Sequence, residues 1–588
     1  MGWIGVPDLP RLERAQTYLK VFHGRKEGKP VNGNTSTTAK AERLPDTASL
    51  SGRWKSIDWR HVEAVVNRLQ VRIAKASREK KWNTVKRLQY LLTHSYYAKL
   101  LAVRKVTTNK GRKTAGTDKV LWNTPALKMR AVLSLTDKGY KARPLRRVFI
   151  DKKGKKTKRP LGIPTMYDRA MQALYALALD PVAEVTADGK SFGFRKERSC
   201  QDACEYIFVA LSRGYCAKWI LEGDIRGCFD NISHDWLMEN IPMDKSVLRQ
   251  FLKAGFVFEG ELFPTDDGTP QGGVISPILA NLALDGMQKV LENRFHTNQK
   301  GEFSYLYKSR NRVNLVRYAD DFIVTAETLE IALEVKELLR DFLKSRGLEL
   351  SEEKTAITHI NDGFDLLGWT FRKFNGKLLI KPSKKSVKTF TAALSETILG
   401  QGKMWEQEKL IHKLNQQIRG WVNYHQSVCS KETFTHIDYI LFGLLWRWAK
   451  RRHPMKGKWW ISTRYWHKVG DRNWVFSTEN VRLLKAADFP IVRHSMVRMD
   501  KNPYLDTQYF INRKFKNGMK RLSGKFKQVW KNQSGCCYHC GLSMDAGEKK
   551  DIYFKIPKSQ GGMEHVSNMA YVHPYCQSLF LECRAKAL

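Results

Sequence analysis

The sequence predicts an α+β fold with a metal-binding module near the end of the chain, and three observations lead to this prediction. Short runs of Val, Ile, Leu and Phe, such as residues 313–316 and 322–324, have the length and composition of β-strands. Longer stretches with apolar residues at helical spacing, such as residues 62–73 and 88–101, predict amphipathic helices. Cysteines cluster near the end of the chain, where they predict a metal-binding module. We therefore expect a mixed chain of several modules.

Length and charge restrict what such a chain can do. Its 588 residues suffice for roughly three to five domains. The 102 basic and 58 acidic residues give a net charge of +44, which predicts a polyanionic partner such as nucleic acid. A membrane is not expected as the partner, because no apolar run approaches about 20 residues and residues 1–24 lack the apolar core of a signal peptide. We expect a cytoplasmic protein with reduced cysteines.

The first candidate for a catalytic site is a pair of polar residues within an apolar stretch. Asp320 and Asp321 stand side by side between the runs 313–316 and 322–324, which predicts a β-hairpin with two carboxylates at its turn. Such carboxylates suit Mg²⁺, which prefers oxygen ligands, although a solvated Asp-Asp turn is the alternative. Asp224 ends another short apolar run. Three carboxylates from two strands can hold two Mg²⁺ ions about 3.5–4 Å apart.

The same residues resemble a known family. YADD at residues 318–321, with Asp224 upstream, resembles the palm of reverse transcriptases. The surrounding blocks are similar to the reverse transcriptase/maturase encoded by group II introns; they are residues 159–164, 191–195, 268–277, 347–355 and 364–369. The resemblance implies a right-hand polymerase with fingers, palm and helical thumb. It also implies that Asp224, Asp320 and Asp321 are catalytic and bind two Mg²⁺ ions during RNA-templated synthesis of DNA from dNTPs.

A basic block supplies candidates for the incoming nucleotide. Residues 141–159 contain ten basic residues and one acid, and their centre predicts the tip of a hairpin. By the resemblance, Lys152 and Arg159 clamp the triphosphate, where cations offset the charge of the transferred phosphoryl group and the pyrophosphate. The tip departs from the family pattern, so Lys153 is an alternative to Lys152.

Three further residues are assigned to the nucleotide by the same resemblance. Phe229 would lie under the sugar and exclude a 2′-hydroxyl, with a phenylalanine of the core as the alternative. Gln271 lies in the glycine-rich loop 268–277, where paired glycines let a backbone approach a nucleotide closely, and would contact its sugar. Lys354 would contact a phosphate.

Beyond Lys381 the pattern becomes helical and aromatic. Apolar residues from Leu410 to Trp421 share one helical face, and eight of the seventeen tryptophans lie between Trp405 and Trp474 among basic residues. Basic residues supply phosphate affinity and aromatic faces can stack bases, although we expect many of these rings in the core. Residues 418–425 resemble the thumb of maturases, domain X, which implies binding of intron RNA.

The last module carries two ligand pairs at the spacing of a zinc site. Cys537 and Cys540, with His573 and Cys576 downstream, offer four ligands for one tetrahedral Zn²⁺, and Cys536 is an alternative to Cys537. Residues 557–562 resemble the HNH endonuclease domain found at this end of the family.

The residues that carry HNH chemistry are absent from this chain. Tyr553 and Phe554 stand where the motif has two histidines, and Gln577 stands at its last histidine. We expect that zinc binding is kept and that the nuclease is lost, with a shifted His539 or His565 as the alternative.

The resulting prediction is an RNA-directed DNA polymerase and intron maturase that binds group II intron RNA, assists splicing and copies the RNA into DNA during retrohoming, with target DNA as a further partner. The alternatives are a splicing cofactor without polymerase activity and a reverse transcriptase co-opted for defence or repair. The predicted domains are a flexible extension (1–53), fingers and palm (54–380), thumb (381–477), a DNA-binding segment (478–530) and a zinc-binding degenerate HNH module (531–588).

Overall fold

The computed structural model describes residues 46–151, 158–270, 272–522, 524–544, 550–574 and 576–577. The chain divides into the units Met1–Asp46 and Thr47–Leu588, and every element below lies in the second. The first helices are α1 (Thr47–Lys55), α2 (Trp59–Arg78), α3 (Trp82–His94), α4 (Tyr96–Thr108) and α5 (Pro125–Ser134).

Two of these boundaries differ from the sequence prediction. Helix α1 buries Leu50 and Trp54, so packed structure begins before residue 53, the predicted end of the extension; residues 1–45 lie outside the described part. The helix predicted over residues 88–101 is two helices, because Ser95 has an extended backbone with φ −66° and ψ 128°.

The predicted basic hairpin is present. Strands β1 (Leu145–Asp151) and β2 (Lys158–Ile163) pair antiparallel, with Val148 opposite Leu161 and Ile150 opposite Arg159. Two helices follow, α6 (Met166–Thr186) and α7 (Cys200–Leu211). Helix α6 is capped by the Thr165 side chain, which accepts a hydrogen bond from the Asp168 N–H.

The centre of the chain forms an antiparallel sheet. Its elements, with the helices between them, are β3 (Trp219–Gly223), α8 (Cys228–Asn231), α9 (His234–Asn240), α10 (Lys245–Leu252), β4 (Phe256–Phe258), β5 (Glu261–Phe263), α11 (Ser276–Leu284), α12 (Met287–Phe295), α13 (Tyr305–Asn311), β6 (Asn314–Tyr318), β7 (Asp321–Ala326), α14 (Leu329–Lys344) and β8 (Ala356–His359). The strand order is β6-β7-β3-β8, whereas β4 and β5 extend the sheet of β1 and β2.

Both faces of the central sheet are buried. Phe322 and Val324 of β7 pack into a core shared with α2, α4, α6 and α14. Ile323, which points to the other face, packs into a second core with α7 and the following strands. This alternation along one strand explains why the sequence shows an unbroken apolar run here.

A three-stranded sheet and a helical region follow. The elements are β9 (Phe364–Leu366), β10 (Trp369–Phe374), β11 (Lys377–Pro382), α15 (Lys384–Ser395), a π-helical turn at Glu396–Gln401, α16 (Gln407–His425), α17 (Lys431–Arg452), α18 (Lys458–Tyr465), β12 (Trp466–Val469) and β13 (Arg472–Phe476). The predicted apolar face of α16 is buried at Leu410, Ile411, Leu414 and Ile418, while Trp421 is half-buried.

The C-terminal part contains two helices and a short β-hairpin. These are α19 (Thr507–Arg521), α20 (Gly524–Asn532), β14 (Asp551–Phe554) and β15 (Met569–Val572). Trp530 of α20 is fully buried against α19 at Gly518, where a Cβ would overlap the indole ring. None of the helices described is both long and apolar enough to cross a membrane.

Candidate functional site

The structure brings the three predicted carboxylates to one end of the central sheet. Strands β6 and β7 form the predicted hairpin, with Tyr318 paired to Asp321 and Asp320 in the turn between them. Strand β7 also pairs with β3, where Gly223 lies opposite Phe322. One more step along this antiparallel register brings Asp224 opposite Asp321. Two adjacent strands therefore supply all three carboxylates.

Glycines allow the close packing around these carboxylates. At Gly223, the residue before Asp224, a Cβ would overlap the ring of Phe322. At Gly193, a Cβ would overlap the backbone nitrogen of Ala319 in the hairpin turn. The polar-aromatic loop 191–195 thus lies directly against the turn that carries Asp320, which assigns this loop a supporting role.

A buried ion pair that the sequence analysis missed holds β6 in place. Arg317 is fully buried, and its guanidinium binds the carboxylate of Asp285 at 2.5 Å and the side chain of Asn281 at 3.1 Å. The Phe192 N–H donates to the carbonyl of Arg317 at 2.9 Å, which joins the loop to the strand. An arginine inside the apolar strand sequence NLVRY was the available signal, because a charge at a buried strand position requires a partner.

The carboxylates form a concentrated negative site. Desolvation by the surrounding protein raises the pKa of Asp321, the nearby charge of Asp320 raises it further, and Lys385 opposes the shift. Lys354, which was expected at a phosphate, is ion-paired with Asp224 in this structure. The negatively charged oxygen atoms of these side chains converge and repel one another. A hard cation such as Mg²⁺, which prefers oxygen ligands, would offset this repulsion, so the residues present suit such ions.

The glycine-rich loop borders the same region. A Cβ at Gly268, where φ is +84°, would come within 2.5 Å of the Asp230 carbonyl, and one at Gly272, where φ is +110°, would come within 2.8 Å of the Gly162 oxygen. The Val274 N–H donates to the side chain of Gln172 at 2.7 Å. The loop therefore joins β2, α6 and the segment after Asp224, while Gln271 itself lies outside the described residues.

The other predicted nucleotide contacts are partly described. Phe229 is half-buried at the edge of the main core, and its ring lies edge-to-face with Phe194 at 6.2 Å. Its carbonyl accepts a hydrogen bond from Thr269 of the glycine-rich loop at 2.6 Å. Arg159 is exposed on β2 and Lys152 lies outside the described residues.

The four predicted zinc ligands meet at one point of the C-terminal part. The ligand atoms of Cys537, Cys540, His573 and Cys576 all lie within 4.8 Å of one another, with Cys540 Sγ 3.4 Å from His573 Nδ1. Cys536 Sγ instead contacts the Ser534 carbonyl, so the structure favours Cys537. Hydrogen bonds from Cys540 and Cys576 lower the pKa of the Cys537 thiol. Three thiols and one imidazole at this separation fit a tetrahedral zinc ion.

Two residues that the sequence analysis singled out in this module, Tyr553 and Phe554, pack against the core that contains the cluster. Tyr553 and Phe554 belong to β14, where Tyr553 pairs with Ala570 of β15 and stacks on Tyr538. The Asn568 side chain donates to the carbonyls of Ile556 and Met563, and so holds the loop between the two strands.

Comparisons with known proteins cover most of this architecture. Three family models match in order: "N-terminal domain of reverse transcriptase" over residues 54–135, "Reverse transcriptase (RNA-dependent DNA polymerase)" over 150–371, and "Group II intron, maturase-specific domain" over 387–466. Protein YkfC of Escherichia coli K12 is 32% identical over 303 residues, which are 45% of this chain and 78% of YkfC. This chain belongs to the group II intron reverse transcriptase/maturase family.

The shared region is only a part of some relatives. Group II intron-encoded protein LtrA of Lactococcus lactis subsp. cremoris is 31% identical over 390 residues, 57% of this chain and 64% of LtrA. The chain thus spans less than two thirds of the length of LtrA. A telomerase structure from Candida albicans superposes with a TM-score of 0.31 at 13% identity, covering 55% of this chain and 65% of that one, and adds nothing to the assignment.

Proposed function

We propose that this protein is an RNA-directed DNA polymerase and intron maturase that binds group II intron RNA, assists its splicing and copies it into DNA. The observation that carries the proposal is the convergence of Asp224, Asp320 and Asp321 on two paired strands within the reverse transcriptase match. Two Mg²⁺ ions bound there would activate the primer 3′-oxygen and stabilise the pyrophosphate. The chain's own contribution is to hold three carboxylates at fixed positions for these ions.

The nucleotide contacts in this proposal surround the carboxylates. Arg159, with Lys152, would bind the triphosphate from the basic hairpin, and Gln271 and Phe229 would border the sugar. Lys354 has a further role, because its ammonium neutralises Asp224 in this structure. When cations occupy the carboxylates, this ammonium is repelled from them and becomes available to a phosphate of the substrate.

The maturase part of the proposal rests on the thumb. The maturase-specific match covers residues 387–466 and contains an exposed ring at Trp459 (79% exposed), and a second exposed ring, Trp474 (56%), follows it in the chain. Exposed tryptophans among lysines and arginines suit the bases and phosphates of RNA. Trp448 and Trp466 are buried, in accord with the expectation that many of these rings serve the core. We propose intron RNA as the partner here and target DNA as the partner of residues 478–530.

The C-terminal module is proposed to bind one Zn²⁺ without cleaving DNA. The four clustered ligands support the zinc site. Tyr553 offers a phenol where this chemistry uses an imidazole that can take up a proton near neutral pH, and Phe554 cannot move a proton. His539 and His565 are exposed on the described surface and are not ligands of the cluster. Such a protein would have to obtain its second-strand primer elsewhere, for example at a replication fork.

The polymerase proposal is tested by removing two carboxylates. The variant Asp320→Asn/Asp321→Asn should lose primer extension on an RNA template and keep its RNA affinity, because no basic group is lost. Asp471→Asn/Glu479→Gln is the control, since it removes two exposed carboxylates that lie outside the palm. Extension above trace level in the first variant would refute the assignment. Wild-type protein that promotes splicing but extends no primer would support the non-enzymatic cofactor instead.

A further inference from the structure

The C-terminal module meets the first helices of the chain at one boundary. A cavity of about 300 Å³ lies there, with residues 57–60 and Arg104 on one side and residues 538–541 and Cys576 on the other. Helix α2 starts within the first of these segments, and Arg104 belongs to α4. Two of the four clustered ligands, Cys540 and Cys576, therefore line a boundary with the region that matches the N-terminal domain of reverse transcriptases.

Arg60 makes a direct contact across this boundary. Gly541, the residue after the ligand Cys540, has a φ of +68°, and a Cβ placed there would lie 3.5 Å from each of three guanidinium atoms of Arg60. Equal distances to Cζ, Nε and one terminal nitrogen mean that the flat face of the guanidinium covers Gly541. The side chain of Arg60 thus packs on the turn that carries Cys537 and Cys540.

The shape of this turn depends on its ligands. The Gly541 N–H donates to the Cys537 carbonyl at 2.9 Å, and the Cys537 N–H donates to the Leu542 carbonyl at 2.8 Å. The hydrophobic core beneath the turn is small, so a metal ion bound by Cys537 and Cys540 is expected to supply much of the free energy that holds it. Zinc binding and the contact with Arg60 are then coupled.

The charges at the boundary suit a zinc-loaded turn. Three thiolates outweigh the charge of one Zn²⁺ and leave the site negative, and Arg60 is a cation in direct contact with its turn. Arg104 is neutralised by Glu63 at 2.8 Å and lies over the ring of Trp59. Asp58, an acid in the same lining, accepts hydrogen bonds from two N–H groups at the start of α2, and the helix end offsets its charge. Arg60 therefore remains to stabilise the negative site.

The helices on the other side of the boundary depend on the start of α2. Trp59 is only 6% exposed and packs edge-to-face on Trp54 of α1, with 5.2 Å between the ring centres. Helix α1 has nine residues, of which Leu50 and Trp54 are buried. A helix of this length is not stable in isolation, so its position depends on the first turn of α2, which the C-terminal module covers.

We propose that the zinc-loaded C-terminal module stabilises the N-terminal helices of the fingers, with Arg60 as the residue that joins them. The inference rests on the proposed zinc site. It gives the module a role that requires zinc and requires no nuclease chemistry. Because coupling between two sites is reciprocal, the contact with Arg60 must stabilise the bound zinc as much as zinc stabilises the contact.

Loss of zinc tests this coupling. In Cys537→Ser, hydrogen exchange of residues 59–66 at the start of α2 should be about tenfold faster than in the wild type, whereas α14 in the palm should be unchanged. Cys536→Ser is the matched control and should exchange like the wild type, because its sulfur contacts the Ser534 carbonyl. Unchanged exchange at the start of α2 in Cys537→Ser, with zinc present in the wild type, would overturn the proposal and leave the zinc site intact. Absence of zinc from the wild type would overturn both.

Arginine variants separate the contact from the folding of the module. Arg60→Met should keep its zinc and the protection of β14 and β15, but it should speed exchange at the start of α2 and release zinc to a chelator about threefold to tenfold faster. Arg68→Met, which removes an exposed arginine about two turns further along α2, should change neither rate. Equal rates of zinc release in the two variants would overturn the proposal, because a side chain that serves only its own helix would not alter the metal site.

Discussion

Single residues decide how closely the strands approach at the catalytic end of the central sheet. Asp224 follows Gly223, and the ring of Phe322 occupies the space where any larger residue at position 223 would place its Cβ. The ring is itself packed in the core, since Phe322 is only 1% exposed. The spacing between Asp224 and Asp321 therefore depends on glycine, which has no Cβ, at position 223.

At this scale we predict that Gly223→Ala damages both stability and catalysis. The added methyl group must displace Phe322 or β3, which should lower the free energy of unfolding by about 1–3 kcal/mol. Displacement of Asp224 should also reduce primer extension. Thermal unfolding and extension assays measure the two effects. Gly214→Ala is the control, because a Cβ there meets nothing within 4 Å, and equal behaviour of the two variants would contradict the prediction.

At the scale of an element, the hairpin β6–β7 depends on contacts outside the sheet. Loop 191–195 packs on its turn, and the buried pair Arg317–Asp285 anchors β6 to the end of α11. Both partners of this pair are almost fully buried. A buried charge left without its partner is costly, so this pair specifies where the strand lies.

We predict that Arg317→Met destabilises the hairpin by about 3–5 kcal/mol, because Asp285 would lose its cation inside the protein. Hydrogen exchange of β6 and β7 measures the effect locally, which suits a chain of several domains. Arg340→Met removes a half-buried arginine at the surface that pairs with Glu337 and Glu352, and it should cost only about 0–1 kcal/mol. The double variant Arg317→Met/Asp285→Leu should recover part of the loss. Unchanged exchange in Arg317→Met would show that the pair does not anchor the strand.

At the scale of the whole molecule, the C-terminal module has the smallest hydrophobic core among the residues that the structure describes. Its buried residues are Val529, Trp530, Cys537, Cys540, Met544, Met569, Tyr571, Val572 and Cys576. A core of this size leaves a domain marginally stable, and a structural metal ion can supply the missing free energy. Three of the buried side chains are proposed zinc ligands, so folding and metal binding are expected to be coupled.

We predict about one zinc ion per chain in the wild type and no cleavage of DNA by this module. Cys537→Ser should lose the zinc and increase hydrogen exchange in β14 and β15, whereas Cys536→Ser should keep both unchanged because its sulfur points to Ser534. Elemental analysis and hydrogen exchange measure the two effects. Incubation with intron RNA, Mg²⁺ and target duplex tests cleavage. Zinc content near zero in the wild type, or bottom-strand cleavage that disappears on deleting residues 531–588, would contradict the prediction.

The sequence by itself determined the features that depend on local spacing. Two apolar runs around Asp320 predicted the hairpin, because strand and turn preferences act between near neighbours. Ordered blocks around Asp224 and the YADD sequence predicted the reverse transcriptase/maturase family, which the comparisons confirm. Cys537 and Cys540 were recognisable as a ligand pair for the same local reason, since a separation of two residues lets both thiols bind one metal ion.

Only the tertiary structure decided which distant residues meet. Lys354 and Asp224 are 130 residues apart in the chain, and Arg317 and Asp285 are 32 apart. Asp202 of α7 and Arg513 of α19, which form an ion pair, are 311 residues apart. The break at Ser95 and the early start of α1 likewise follow from packing rather than from propensity. These contacts depend on how whole elements pack against one another. The identity of a side chain alone therefore does not predict which distant residue will neutralise its charge or pack beside it.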